Sequence, residues 1–218
     1  MMGTTVIAID GPAGSGKSTL ARRLALELGL PYVNTGLMYR AVAARALEEG
    51  LDLDDEASLA ATARELRFDL DPTVRPAELT VDGGRPEASL SSPEVESTVS
   101  RVARHPEVRE VLRQDQRRLA AGGAVMEGRD IGTVVAPDAA LKVFLQAHPE
   151  QRSRRRARER DAPAQETAEA ISARDAQDAR TNPFVPAPDA VVLDTTRLSA
   201  EESFRRAMEL VRKRGLRR

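Results

Sequence analysis

The chain of 218 residues has no Cys, no Trp, two His and only three Lys. Without cysteine, disulfides, thiolate metal sites and cysteine nucleophiles are all excluded. His105 and His148 alone cannot form a histidine metal cluster. Four Phe and two Tyr leave few aromatic faces on which the bases of a nucleic-acid strand could stack. No stretch approaches the roughly 20 apolar residues that a spanning helix needs. The N-terminus runs from Met1 into a short apolar strand with neither a basic n-region nor a long apolar h-region. These absences predict a cytoplasmic protein with no membrane partner.

Charge is balanced rather than scarce. Thirty-three basic residues face thirty-four acidic ones, a net charge of −1, so no global positive field recruits nucleic acid or an anionic bilayer. Any polyanion must be met locally. Within the basic class thirty residues are Arg, and the three Lys are Lys17, Lys142 and Lys213. Arg offers a rigid fork for carboxylate or phosphate, whereas Lys is a compact point charge on a flexible stem.

Five short apolar runs read as buried strands: Val6 to Asp10, Tyr32 to Asn34, Ala124 to Glu127, Leu141 to Leu145 and Val191 to Asp194. They alternate with helical patterns, which predicts an α/β fold with a five-stranded parallel sheet and helices on both faces. Leu20, Leu24 and Leu28 make one apolar stripe that Gly29 ends, and Ser199 with Glu202 forms a capping box for the last helix. Between residues 51 and 100 the pattern changes. Arg67 to Leu70 and Glu78 to Asp82 read as short strands around Pro72 and Pro76, followed by Gly83-Gly84 as a hairpin turn. This predicts a small β-containing insert in a core formed by residues 1–50 and 101–218. From Arg152 to Arg160 six of nine residues are Arg, spread around a helical wheel, so the helix is expected not to lie flat on a core.

The run Gly11-Pro12-Ala13-Gly14-Ser15-Gly16-Lys17-Ser18-Thr19 matches GxxxxGK[ST] between a strand and an amphipathic helix. Its glycines let backbone N–H groups converge on an anion, and the helix N-terminus adds partial positive charge. Lys17 is expected on the β and γ phosphates of ATP and the Ser18 hydroxyl on Mg²⁺. The loop alone leaves GTPase, motor and small-molecule kinase open. No Asn-Lys-x-Asp guanine-reading run is present, which disfavours a GTPase, and a motor would need more chain. A phosphate acceptor needs cations rather than a base, since its second pKa near 6 already leaves the attacking oxygen largely deprotonated. Arg40, Arg129 and the 152–160 cluster follow successive strands, at the sheet edge where ligands of open α/β sheets bind. Glu127 ends its strand opposite the phosphate loop, suited either to a Mg²⁺-bound water or to an ion pair. A kinase of another small metabolite and a nucleotide-binding, RNA-associated regulator are the competing readings.

Taken with the phosphate loop, the runs Asn34-Thr35-Gly36-Leu37-Met38-Tyr39-Arg40, Glu127-Gly128-Arg129-Asp130-Ile131-Gly132-Thr133-Val134-Val135 and Pro137-Asp138-Ala139 make the chain resemble the bacterial cytidylate kinases along nearly its whole length. The resemblance implies transfer of the ATP γ-phosphoryl group to CMP or dCMP by a P-loop kinase; the balanced charge and scarce aromatics argue against a nucleic-acid partner, and a monomer is expected. It makes residues 51–100 the monophosphate-binding insert and residues 150–165 a short Arg-rich lid, whose Arg154, Arg156 and Arg160 are expected to close over the triphosphate. It further implies that Thr35, Tyr39 and Arg40 belong to the acceptor segment, with Arg40 on the acceptor phosphate. Arg129 would also hold phosphate, Ser100, Arg109 and Asp130 the cytosine, Arg174 phosphates and Asp178 the ribose. The segment from Arg174 to Phe184 is shorter than the family's pattern, which leaves the register of Arg180 open.

Overall fold

The computed structural model describes residues 5–86, 88–160, 164–181 and 183–216. Among them are seven strands: β1 (Val6–Asp10), β2 (Tyr32–Asn34), β3 (Phe68–Asp71), β4 (Glu78–Val81), β5 (Ala124–Gly128), β6 (Leu141–Gln146) and β7 (Val191–Asp194). They form one sheet in the order β3-β4-β2-β5-β1-β6-β7. The five strands of the sequence pattern are there and pair in parallel, but the sheet has seven members rather than five. The reason is that the insert's antiparallel hairpin β3–β4 does not stand apart: β4 joins β2 in parallel through Tyr32 and Glu78. An edge strand offers unpaired N–H and C=O groups, and the hairpin meets β2 there, the Tyr32 amide donating to the Ala77 carbonyl at 2.8 Å. The tight turn after β4 centres on Asp82 and Gly83, at φ 50° and 77°, and not on Gly83-Gly84; Val81 and Gly84 close it with two 2.9 Å hydrogen bonds.

Eight α-helices and two short helical turns, Ala88–Ser91 and Ile131–Val135, complete the described elements; the helices are α1 (Lys17–Leu28), α2 (Thr35–Glu48), α3 (Glu56–Glu65), α4 (Pro93–Ala103), α5 (Pro106–Ala120), α6 (Pro149–Arg160), α7 (Ala164–Thr181) and α8 (Ala200–Lys213). Gly29 ends α1 in the left-handed conformation, and the Ser199–Glu202 capping box opens α8. Alternation along the strands divides the core between the two sheet faces. Ile7 and Ile9 of β1 and Val125 of β5 pack with Leu20 and Leu24 of α1 and Val211 of α8. Ala8 and Met126 face the other way, onto Met38, Val42, Leu59 and Leu112 from α2, α3 and α5. No helix among the described residues is long and apolar enough to cross a membrane.

This register sets the site. Asp10 lies beside Gly128, and Glu127 beside Asn34, so the C-terminal ends of β1, β5 and β2 reach one level. The polar residues there meet at the carboxyl edge of the sheet, where the chain turns into its phosphate loop.

Candidate active site

Gly11 leaves β1 at φ 144°, and a Cβ there would lie 2.2 Å from the Leu145 carbonyl oxygen, so only glycine fits. Gly14 stands at φ 72° with the Arg152 backbone where a Cβ would be, which lets α6 lie directly against the loop. Lys17 begins α1, its ammonium 2.8 Å from the Pro12 carbonyl, curled over the loop that would receive phosphates. Ala13, Gly14, Lys17 and Ser18 line a cleft of about 200 Å³, and Gly11, Pro12, Ser15, Gly16 and Thr19 do not line it.

Most of the residues read from sequence converge on that cleft. Thr35, Tyr39, Arg40, Ser100, Arg109, Arg129, Asp130, Arg156 and Asp178 line it together with the phosphate loop. Asn34 caps α2 by accepting from the Leu37 amide, and the helix then brings Thr35, Tyr39 and Arg40 to the cleft wall. Thr35 donates to the Glu127 carbonyl at 2.8 Å. Burial pushes the Tyr39 phenol well above its ordinary range, with the Asp130 charge acting in the same direction. Arg109 is anchored by the carbonyls of Ala103 and Arg104 at 2.9 and 2.7 Å.

Arg129 does not pair with Glu127. Its guanidinium spans the cleft floor, bonding the Gly11 carbonyl at 2.9 Å and Asp178 at 3.2 Å, with the Phe184 ring 5.6 Å away. Asp178 also accepts from Ser100 at 2.7 Å. Nor does Asp130 cap the turn that follows; its carboxylate accepts from Arg113 at 2.7 Å. Glu127 is buried, and among the described residues no cation pairs with it. The hydroxyls of Ser18, at 3.0 Å, and Tyr32 both donate to it. Burial first, and then the Glu127 charge, push the Tyr32 phenol far up. Ser18 and Glu127 are hard oxygen donors side by side at the loop, a set that fits Mg²⁺.

The Arg-rich helix differs from its expected form. Arg154 is exposed, pairs with Glu150 one turn away and does not line the cleft, so no contact here supports a place for it over the triphosphate. Arg156 lines the cleft and pairs with Glu96, which lies 3.8 Å from Arg40. The side chains of Arg160 and Arg174 lie outside the described residues, whereas Arg180 is described and exposed. Contrary to the wheel argument, one side of α6 is buried: Arg152, Ser153 and Ala157 are covered. Arg152 bonds the carbonyls of Ala147 and Ala13 and the Asp175 carboxylate, and Arg155 bonds Thr195 and the Leu198 carbonyl. Backbone acceptors and one carboxylate offset the desolvation that an apolar core would have imposed.

Sequence reasoning missed these two inward arginines, and it missed Asp10. The Asp10 carboxylate accepts from the amides of Ile131 and Gly132 at 2.9 and 2.8 Å, tying the start of the phosphate loop to the turn that carries Arg129 and Asp130. Burial raises its pKa, which those two hydrogen bonds oppose. An acidic residue ending an otherwise apolar strand was the available signal. For Arg152 and Arg155 there was none, because six arginines in nine residues do not say which face is inward.

Residues 7–213 match the family model described as cytidylate kinase. A cytidylate kinase of Lysinibacillus sphaericus is 43% identical over 218 residues, covering 96% of this chain and 97% of its own. One of Pelotomaculum thermopropionicum is 46% identical over 208 residues, covering 90% and 91%. A solved structure from Eubacterium ventriosum, of an uncharacterized protein, superposes with a TM-score of 0.54 over 96% of this chain and 99% of that one, at 10% identity, a likeness of fold alone.

Proposed function

The chain belongs to the cytidylate kinase family, and on that footing we propose that its cleft transfers the γ-phosphoryl group of ATP to CMP or dCMP, giving ADP and CDP or dCDP. The observation that carries the reading is one cleft lined by the phosphate loop on one side and by Arg40, Arg129, Arg156, Ser100, Arg109, Asp130 and Asp178 on the other. In this reading donor and acceptor phosphates would meet in that cleft, beside several guanidiniums.

Phosphoryl transfer asks the protein mainly to position its reactants and neutralise charge. An oxygen of the acceptor monophosphate attacks the γ-phosphorus as the bond to the β–γ bridging oxygen breaks. The attacking oxygen is largely deprotonated at neutral pH, so no side-chain base is required. In this reading Lys17 meets the β and γ phosphates, Arg40 and Arg129 hold the acceptor phosphate, and Arg156 neutralises the transferring group. Ser18 and Glu127 would hold Mg²⁺, which when bound offsets phosphate charge. Thr35 and Tyr39 shape the acceptor wall. Asp130 accepts from the exocyclic amino group of cytosine, beside Arg109 and Ser100, and Asp178 meets the ribose. Uracil would set a carbonyl lone pair against the Asp130 carboxylate, and a site built on a hydrogen bond rejects such a partner strongly. Residues 51–100 supply part of this wall and α6 with α7 its cover.

A coupled assay offering CMP, dCMP, UMP and AMP in turn tests the proposal. Turnover should require a monophosphate and favour the two cytidylates. ATP consumption independent of every monophosphate would defeat it.

A further inference from the structure

Behind the cleft, α5 carries three arginines one turn apart, Arg109, Arg113 and Arg117, and the last two contact the segment after β5. Arg109 reaches the cleft itself. Arg117 donates to the carbonyls of Val134 and Val135 at 3.2 and 3.4 Å, at the far end of the five-residue turn Ile131–Val135. Between them Arg113, which is not among the lining residues, places its guanidinium 2.7 Å from one carboxylate oxygen of Asp130. The two side chains are 19% and 15% exposed, so solvent screens this pair little. Since Asp10 holds the first amides of the same turn and Arg117 its last carbonyls, the turn that follows Asp130 is fixed at both ends, while Arg113 holds the Asp130 side chain.

We propose that Arg113 is a positioning residue that sets base selectivity through Asp130. The inference rests on the reading of Asp130 as the acceptor for the cytosine amino group. A carboxylate rejects a uracil carbonyl only while it stays in place. Free to rotate, it would turn toward water, relieve the repulsion and admit the wrong base. Arg113 occupies one oxygen, removes that freedom and leaves the other oxygen facing the cleft. Discrimination thereby depends on an element of enforced repulsion as well as on an attractive contact.

A double-mutant cycle separates this inference from the reading beneath it. The ratio of kcat/KM for CMP to that for UMP is measured for the parent, Asp130→Ala, Arg113→Leu and the double variant, with KM for ATP and thermal midpoints alongside. Asp130→Ala should lower the ratio about 100-fold or more and Arg113→Leu about tenfold, because losing a buried hydrogen-bond partner weakens discrimination steeply. KM for ATP should hold in both, and Arg113→Leu should add nothing once Asp130 is gone. Arg113→Lys, which keeps the charge but loses the fork, should recover part of the ratio. A purely structural role would lower CMP and UMP turnover together at constant ratio, and that result overturns the proposal. So does a full ratio in Arg113→Leu beside a collapsed one in Asp130→Ala. An unchanged ratio in Asp130→Ala instead overturns the reading of Asp130 itself. Should Arg113→Leu fail to fold, Arg113→Gln serves in its place, and a parental ratio there rejects the inference.

Discussion

Asp178 of α7 bridges two other elements across the cleft, one oxygen 3.2 Å from the Arg129 guanidinium and the other 2.7 Å from the Ser100 hydroxyl of α4. A single carboxylate therefore joins α7, the end of β5 and α4. Hydrogen bonds to charged groups contribute about 1.5–3 kcal/mol each. Asp178→Ala should lower kcat/KM for CMP about 10- to 100-fold, while KM for ATP changes little. Steady-state titration of each nucleotide checks this, and a loss falling equally on both would contradict the bridge.

The arginines of α6 should not behave alike. Arg154 is exposed and tied to Glu150, whereas Arg156 lines the cleft. Exposed pairs contribute about 0–1 kcal/mol, so Arg154→Ala should alter kcat less than about threefold. Arg156→Ala should lower it by roughly tenfold or more, as expected for removal of a cation near developing charge. Comparable losses in the two variants would mean that α6 meets the triphosphate by another face.

Tyr32 supports Glu127, and Asn34 in turn donates to the Tyr32 oxygen at 3.3 Å, so the cap of α2 is linked to the loop of α1 through one buried carboxylate. Tyr32→Phe leaves that carboxylate short of a donor, at a cost of about 1–3 kcal/mol. In a chain of this size each kcal/mol moves Tm by about 2–4 °C. A fall of a few degrees, with a higher Mg²⁺ concentration at half-maximal rate, is the expected outcome. An unchanged Tm would show that the phenol does not stabilise Glu127.

Acid should unfold the protein through carboxylates whose folded pKa is lowered. Asp54 is held below the usual carboxylate range by hydrogen bonding to Arg101 and by the Arg104 charge, Asp71 by Thr73, and Asp189 by Lys142. Such groups release protons more readily when folded, so the stability they contribute is present above the ordinary value near 4 and lost as pH falls through the lowered values. Asp10 has the opposite sign: burial raises its pKa, and its penalty is relieved as pH falls. Scanning calorimetry from pH 7 to pH 3 should show Tm falling below about pH 4. Asp54→Asn should flatten that limb, and a parallel curve would exclude Asp54 as a contributor.

The chain alone determined five of the seven strands, the phosphate loop and the capping of its first and last helices, because these depend on residues close in sequence. Val6–Asp10, the glycines after it and the stripe from Leu20 to Leu28 carry their own instructions in spacing and backbone freedom. Cleft residues such as Arg129 and Asp178 were legible through family resemblance, but their partners were not. Only the fold decided that the hairpin of residues 68–81 would extend the sheet, since an edge strand accepts any partner that arrives in register. Only the fold, too, chose Arg152 and Arg155 over Arg154 and set Arg113 behind Asp130. Which guanidinium turns inward depends on where backbone carbonyls and carboxylates from distant segments are left to receive it, and no local pattern records that.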